Sequence, residues 1–290
     1  MSQTSPDLAP RKTHKQENFP VASFILKPRH RAVVMAFYRF ARTADDIADH
    51  PDLSAAERLA HLETMRATLA GESDADAPAL ALRQAQVDAG VDAVHGLDLL
   101  HAFRQDATQT RYADWAALMD YCRYSAMPVG RFVLDVHGES RATWPASDAL
   151  CAALQVINHL QDCAKDYREL DRVYLAQDEL AAAGTGVEAL AEDRASPALR
   201  AVIVSMARRT QGLLDQSRPF AAQIKDGRLA YEVALIQRLA EDLTARLISH
   251  DPLSQRVHHR PLELAGLAIL AAGDRLGGRG SRTAVAGGGA

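Results

Sequence analysis

Aromatic residues are scarce in this chain, 6% of its 290 positions, and no apolar run is long enough to cross a bilayer. A spanning helix needs about 18–20 consecutive apolar residues. The nearest approach, 262–272, reads instead as a terminal helix that packs, with peripheral membrane contact as its other use. Cysteine is rare too. Cys122, Cys151 and Cys163 are odd in number, lack metal-ligand spacing and follow no secretory leader, so free thiols in a reducing cytoplasm are expected. The opening MSQTSPDLAPRKTHKQ is polar and has no apolar h-region. Strand alternation of useful length is missing, as are the G-x-x-x-x-G-K-[ST] and G-x-G-x-x-G phosphate loops and the G-x-S-x-G nucleophile elbow. With a net charge of −4 at pH 7, a general nucleic-acid surface is not expected.

What remains is helix. The chain is 48% hydrophobic and 24% charged, a soluble, globular, all-α composition. Pro28 opens a long helix through FYRFARTADDIAD, and Pro51 stops it. Ser54 and Glu57 form a capping box for the next helix, which runs to Gly71. Further helices are expected at 76–90, 95–106 and 112–137, the last with an interruption at Pro128–Gly130. Then come 147–167, whose Leu150, Leu154, Ile157 and Leu160 keep the amphipathic period, and 196–220, 227–249 and 261–275. Three parts follow: a flexible polar leader over 1–16, one all-α domain over 17–276 and a disordered Gly-rich tail over 277–290.

Two Asp-x-x-x-Asp pairs stand out, Asp45/Asp49 and Asp162/Asp166. Residues four apart share a helix face, so each pair aims two like charges at one point, and the repulsion needs an offset. A hard divalent cation with oxygen ligands provides it: Mg²⁺ is usually held by a few carboxylates together with substrate phosphates. Gln155, Asn158, Asp162 and Asp166 continue one polar stripe. Arg39 and Arg42 precede the first pair, while Lys165, Arg168 and Arg172 surround the second, giving groups suited to phosphate oxygens. His95, His101, His137, His159, His258 and His259 are scattered without zinc spacing.

At the ENFPVAS opening and the FYRFARTADDIAD, YCRYSAMPVG and ALQVINHLQDCAKDYRELDRVYL blocks, the chain resembles the trans-isoprenyl diphosphate synthases of the squalene and phytoene synthase type, over roughly 17–180. The resemblance implies an isoprenoid-synthase bundle around a deep apolar cavity, with Mg²⁺, or alternatively Mn²⁺, clasping a diphosphate at its mouth. The metal set it implies is Asp45, Asp49, Asp162 and Asp166, joined by Asn158. Arg42, Gln155, Asn158, Lys165, Arg172 and Tyr174 line the diphosphate site, Tyr38 and Tyr121 are further catalytic candidates, and Gly130 lies in a helix break beside the cavity. Phe24, Phe37, Met127 and Val133 are candidate cavity liners or ordinary core.

Within that family the wording is most similar to the bacterial hydroxysqualene synthase branch that accompanies hopanoid synthesis. Condensing members commonly carry Arg before the first aspartate of the second pair, where this chain has Gln161, and small non-proline residues where it has Pro128. Both departures speak against the condensing half-reaction and leave the ionising one. The implied reaction is loss of diphosphate from presqualene diphosphate, cation rearrangement and capture by water, without NADPH. Partners would be the prenyl diphosphate and sister enzymes of the pathway. Head-to-head condensation of farnesyl or geranylgeranyl diphosphates is the rival, and a non-catalytic helical accessory subunit is a rival of another class.

Overall fold

The structure, a computed structural model, describes residues 27–259. The polar leader, the ENFPVAS opening with Phe24, the helix expected over 261–275 with its membrane-contact run, and the Gly-rich tail lie outside them. Twelve α-helices are found among the described residues. In chain order they are α1 (Pro28–Ala48), α2 (Ala55–Leu69), α3 (Ala77–Ala89), α4 (Val94–Asp106), α5 (Trp115–Ser125), α6 (Met127–Val136), α7 (Trp144–Gln161), α8 (Cys163–Leu170), α9 (Gln177–Ala182), α10 (Pro197–Ser217), α11 (Phe220–Gln223) and α12 (Gly227–Ser249). The described residues form no strand, only an isolated bridge between Arg111 and Val173.

Local chemistry sets the helix limits. The expected capping box of α2 is present: Glu57 N–H donates to Ser54 Oγ at 3.3 Å and Ser54 N–H to Glu57 Oε2 at 2.8 Å. Asp76, Asp114, Ser196 and Asp226 cap α3, α5, α10 and α12 by a side-chain oxygen that accepts from a backbone N–H of the first turn. On α1, Val33, Phe37, Phe40, Ala44 and Ile47 are buried. That three-and-four spacing makes one apolar stripe, packed against α2, α3 and α4. Phe40, Leu62, Met65 and Leu82 are fully enclosed there, each contributing about 2–3 kcal/mol by leaving water.

At the centre lies α7, eleven of whose 18 residues are buried. Its alanines, Ala146, Ala149, Ala152 and Ala153, are among them, and they let α10 pack closely along it.

Three sequence expectations need correction. The break in 112–137 falls at Ala126 (φ −124°, ψ −47°), so Pro128 sits in the first turn of a new helix, where its missing N–H costs nothing. Gly130 therefore lies inside α6 rather than in the break. A Cβ there would stand 2.6 Å from Cys151 Sγ and closer still to Ser147 Oγ, so the glycine permits α6 to press against α7. The helix expected over 147–167 is also divided: Asp162 (φ −101°, ψ 7°) ends α7 and begins α8. In addition, α9, α11 and two short 3₁₀ turns, Arg141–Thr143 before α7 and Val187–Ala191 after α9, were not foreseen.

Candidate active site

Beside the apolar stripe of α1 runs a second stripe, Tyr38, Arg42, Asp45 and Asp49, with the same four-three-four spacing. Arg42 pairs with Asp45 at 2.6 Å and with Asp46 at 2.5 Å. Asp45 is a third exposed yet recessed in a cleft. Its carboxyl lies far above the usual range, raised by burial first and then by Asp49, against the opposing charge of Arg42.

Arg172 reaches the far end of this stripe. Asp171 adopts a left-handed turn (φ 49°) at the end of α8, and its carboxylate holds Arg111 at 2.6 Å. The chain then runs beside residues 110–112, with Val173 N–H donating to the Thr110 carbonyl at 2.9 Å and Gln177 N–H to that of Tyr112 at 3.0 Å. In an extended segment alternate residues share a side, and Arg172 and Tyr174 both meet Asp106 at the end of α4. Arg172 donates to the Asp106 carbonyl at 2.9 Å and pairs with Asp49 at 2.9 Å. Tyr121 and Tyr174 donate to the Asp106 carboxylate at 2.9 and 3.2 Å. Burial pushes Asp106 up to about 6 despite Arg172 and the tyrosine hydrogen bonds.

The second pair straddles the break between α7 and α8. Asp166 N–H still donates to the Asp162 carbonyl at 2.8 Å, so one helical turn connects the two. Burial, with Asp162 beside it, raises Asp166 to about 7; Arg172 opposes this and Asp49 reinforces it. The structure thus brings α1 and α8 carboxylates within electrostatic reach of each other and of one guanidinium. Beneath them is an aromatic layer. His159 stacks on Tyr174 with centroids 3.4 Å apart, and Tyr112 stacks on Tyr174 at 5.4 Å. Burial lowers His159 to about 3, which keeps its ring neutral.

From the Tyr38, Arg42 and Asp45 wall a cavity of about 410 Å³ extends between α1, α4, α6, α7, α11 and α12. Phe37, Val133, Leu150, Leu154, Phe220 and Val233 line it, and Phe37 is both liner and core, stacked on Phe132 at 3.9 Å. Met127 packs against the core instead.

Not every expected residue joins the site. Arg39 is exposed. Lys165 is exposed beside Glu169, and Arg168 donates to the Ala191 and Glu192 carbonyls at 2.8 and 3.0 Å. Tyr121 lies in the aromatic layer rather than on the cavity wall. Gln155 and Asn158 are half-buried on α7. Gln161 is buried, does not line the cavity, and donates its amide to the Val257 carbonyl. Sequence reasoning missed Asp106 and Glu232. The signal for Glu232 was present: an acid at position 232 of the apolar stripe formed by Leu229, Val233 and Ile236.

The chemistry of the donor set suits a hard divalent cation. Asp45 stands on the cavity wall, Asp49 acts electrostatically on both Asp45 and Asp166, and Asp162 acts on Asp166; burial and these neighbouring carboxylates hold Asp45 and Asp166 above their usual range. Among the described residues no three such groups form a ready-made metal cluster, so phosphate oxygens would have to complete any coordination sphere.

The sequence profile of the squalene/phytoene synthase family matches residues 12–263. The chain is 57% identical over 267 residues to a hydroxysqualene synthase of Zymomonas mobilis subsp. mobilis, covering 91% of this chain and 90% of that protein. It is 55% identical to a hydroxysqualene synthase of Rhodopseudomonas palustris, covering 87% and 86% of the two chains. A crystal structure of a squalene synthase from Alicyclobacillus acidocaldarius superposes with a TM-score of 0.70 at 33% identity, over 81% of this chain and 89% of that one. A dehydrosqualene synthase in complex with ligand, 21% identical, shares the fold with a TM-score of 0.74, over 90% and 93% of the chains. The chain belongs to the squalene/phytoene synthase family, whose enzymes act on prenyl diphosphates and generally need a divalent metal.

Proposed function

We propose that this protein converts presqualene diphosphate to hydroxysqualene in squalene and hopanoid synthesis, by loss of diphosphate, rearrangement of the resulting cation and capture by water. The observation that carries this reading is the 57% identity to a hydroxysqualene synthase across nine-tenths of both chains, with a charged mouth opening on an apolar cavity in support. Asp45, Asp49, Asp162 and Asp166, with Asn158 alongside, would hold Mg²⁺, which supplies Lewis-acid neutralisation of the departing diphosphate. Arg42, which lines the cavity, would bind a diphosphate oxygen, and Tyr38 beside it would donate a hydrogen bond. Arg172 holds Asp49 in place and offsets charge among Asp49, Asp106 and Asp166. The apolar walls fold the prenyl chains and exclude bulk water until rearrangement is complete.

Incubation of the purified protein with Mg²⁺ and presqualene diphosphate, without NADPH, should give hydroxysqualene by mass spectrometry. A parallel incubation with farnesyl diphosphate should give no product. Consumption of farnesyl diphosphate would make the protein a condensing synthase and overturn the reading.

A further inference from the structure

Glu232 lines the apolar cavity from α12 and is 5% exposed. Its Oε2 has no hydrogen-bond partner among the described residues. A buried polar atom without a partner is costly, and replacing it by an apolar group of similar shape would remove that cost. The protein nevertheless keeps an acid between Leu229 and Val233, both liners of the same cavity. Such an acceptor is matched to something absent from the polypeptide that enters the cavity carrying a proton to give.

We propose that Glu232 is the proton acceptor for the water that captures the rearranged cation, an inference that rests on the reaction proposed above. A lone pair of the water oxygen forms the new C–O bond. One O–H bond of that water breaks, its electrons stay on oxygen, and its proton passes to the Glu232 carboxylate, leaving a neutral alcohol and a neutral carboxyl. No oxidant or reductant is needed, and the carboxyl returns its proton to solvent when product leaves. Beside Leu229 and Val233, the same oxygen anchors the water by a hydrogen bond, which separates captured water from the solvent the cavity must exclude.

Burial alone raises the Glu232 carboxyl to about 7, so the acceptor form is available near neutral pH, and a cation formed in the cavity favours it further. The titratable and polar groups that share the cavity are Tyr38, Arg42 and Asp45 of α1 and Ser147 and Cys151 of α7; none of them sets the ionisation of Glu232.

The test compares wild type, E232Q and E232L with Mg²⁺ and presqualene diphosphate from about pH 5 to about pH 9, following diphosphate release and product identity together. Hydroxysqualene formation should fall by about 100-fold or more in E232Q, diphosphate release should fall by less, and olefins formed by proton loss should take the alcohol's place. The wild-type ratio of hydroxysqualene to diphosphate should decline below about pH 7, and that decline should be absent in E232Q. An unchanged ratio in E232Q, with the wild-type pH dependence, would overturn the role. The isosteric E232Q decides the matter even if E232L fails to fold. Wild type that makes no hydroxysqualene from presqualene diphosphate would overturn the proposed function instead, before any variant is compared.

Discussion

Asp45 and Glu232 line one cavity, and both carboxyls are held above their ordinary range, but the causes differ. At the mouth, burial is compounded by a neighbouring carboxylate and countered by Arg42, so the acid is one member of a crowd. On the wall, burial acts alone. The crowd can be relieved from outside by a cation and a diphosphate, whereas the isolated acid can be relieved only by a proton. One cavity thus holds two kinds of acid suited to two kinds of partner.

The strongest way to break this comparison is to remove mouth carboxylates. Asp49→Ala or Asp166→Ala should lower Mg²⁺-dependent diphosphate release by about 10²–10³-fold or more, and retention of normal turnover in both would end the assignment. An accessory subunit would show no such loss. Arg172→Leu comes next, because it strands Asp106 without its buried guanidinium partner. A loss of about 3–5 kcal/mol is expected from urea unfolding, larger than for Arg172→Lys, which keeps the charge; equal losses would show that the charge is immaterial. Gly130→Ala acts on the wall rather than the mouth: its methyl would meet Ser147 and Cys151, costing about 1–3 kcal/mol and narrowing the cavity. A variant as stable as wild type, with unchanged product, would show that α6 can move aside.

The smallest effect is also the most discriminating. Asp166 and Glu232 have folded-state values of about 7, above their unfolded values, so their contribution to stability is full below about pH 4 and is lost as pH rises through about 7. With a chelator present, Tm should therefore fall between about pH 5 and about pH 8. Mg²⁺ should return the Asp166 share, while E232Q should return its own share whether or not metal is added. If Mg²⁺ abolished the E232Q difference, the mouth and the wall would not be independent.

Much of this organisation was legible in the chain. The Ser54–Glu57 box, the prolines beside α1 and the amphipathic period of Leu150, Leu154, Ile157 and Leu160 are local signals, and they held because helices are built from local contacts. The two aspartate pairs were visible for the same reason. The break at Asp162 carries no proline or glycine, and the turn at Asp171 is a left-handed residue other than glycine, so neither announced itself. Asp106 gains meaning only from Arg172, Tyr121 and Tyr174, partners that are distant in sequence. Glu232 interrupts the apolar stripe of Leu229, Val233 and Ile236, but that the stripe faces a cavity depends on α1, α6 and α7 closing around it. Arg39 and Arg168 were misread because nearness along the chain does not fix direction: one faces solvent, and the other is held by backbone carbonyls.

Arg172 gathers Asp49, Asp106 and Tyr174 onto a single side chain. During synthesis, Asp49 and Asp106 emerge long before the residue that joins them. A chain that has reached only the end of α7 therefore owns one acidic pair but not the strut that steadies it. The grip on diphosphate should appear late, when the segment from Asp171 to Leu175 has been laid beside residues 110–112. The containing wall comes later still, because Phe220 of α11 and Leu229, Val233 and Ile236 of α12 follow that segment in the chain.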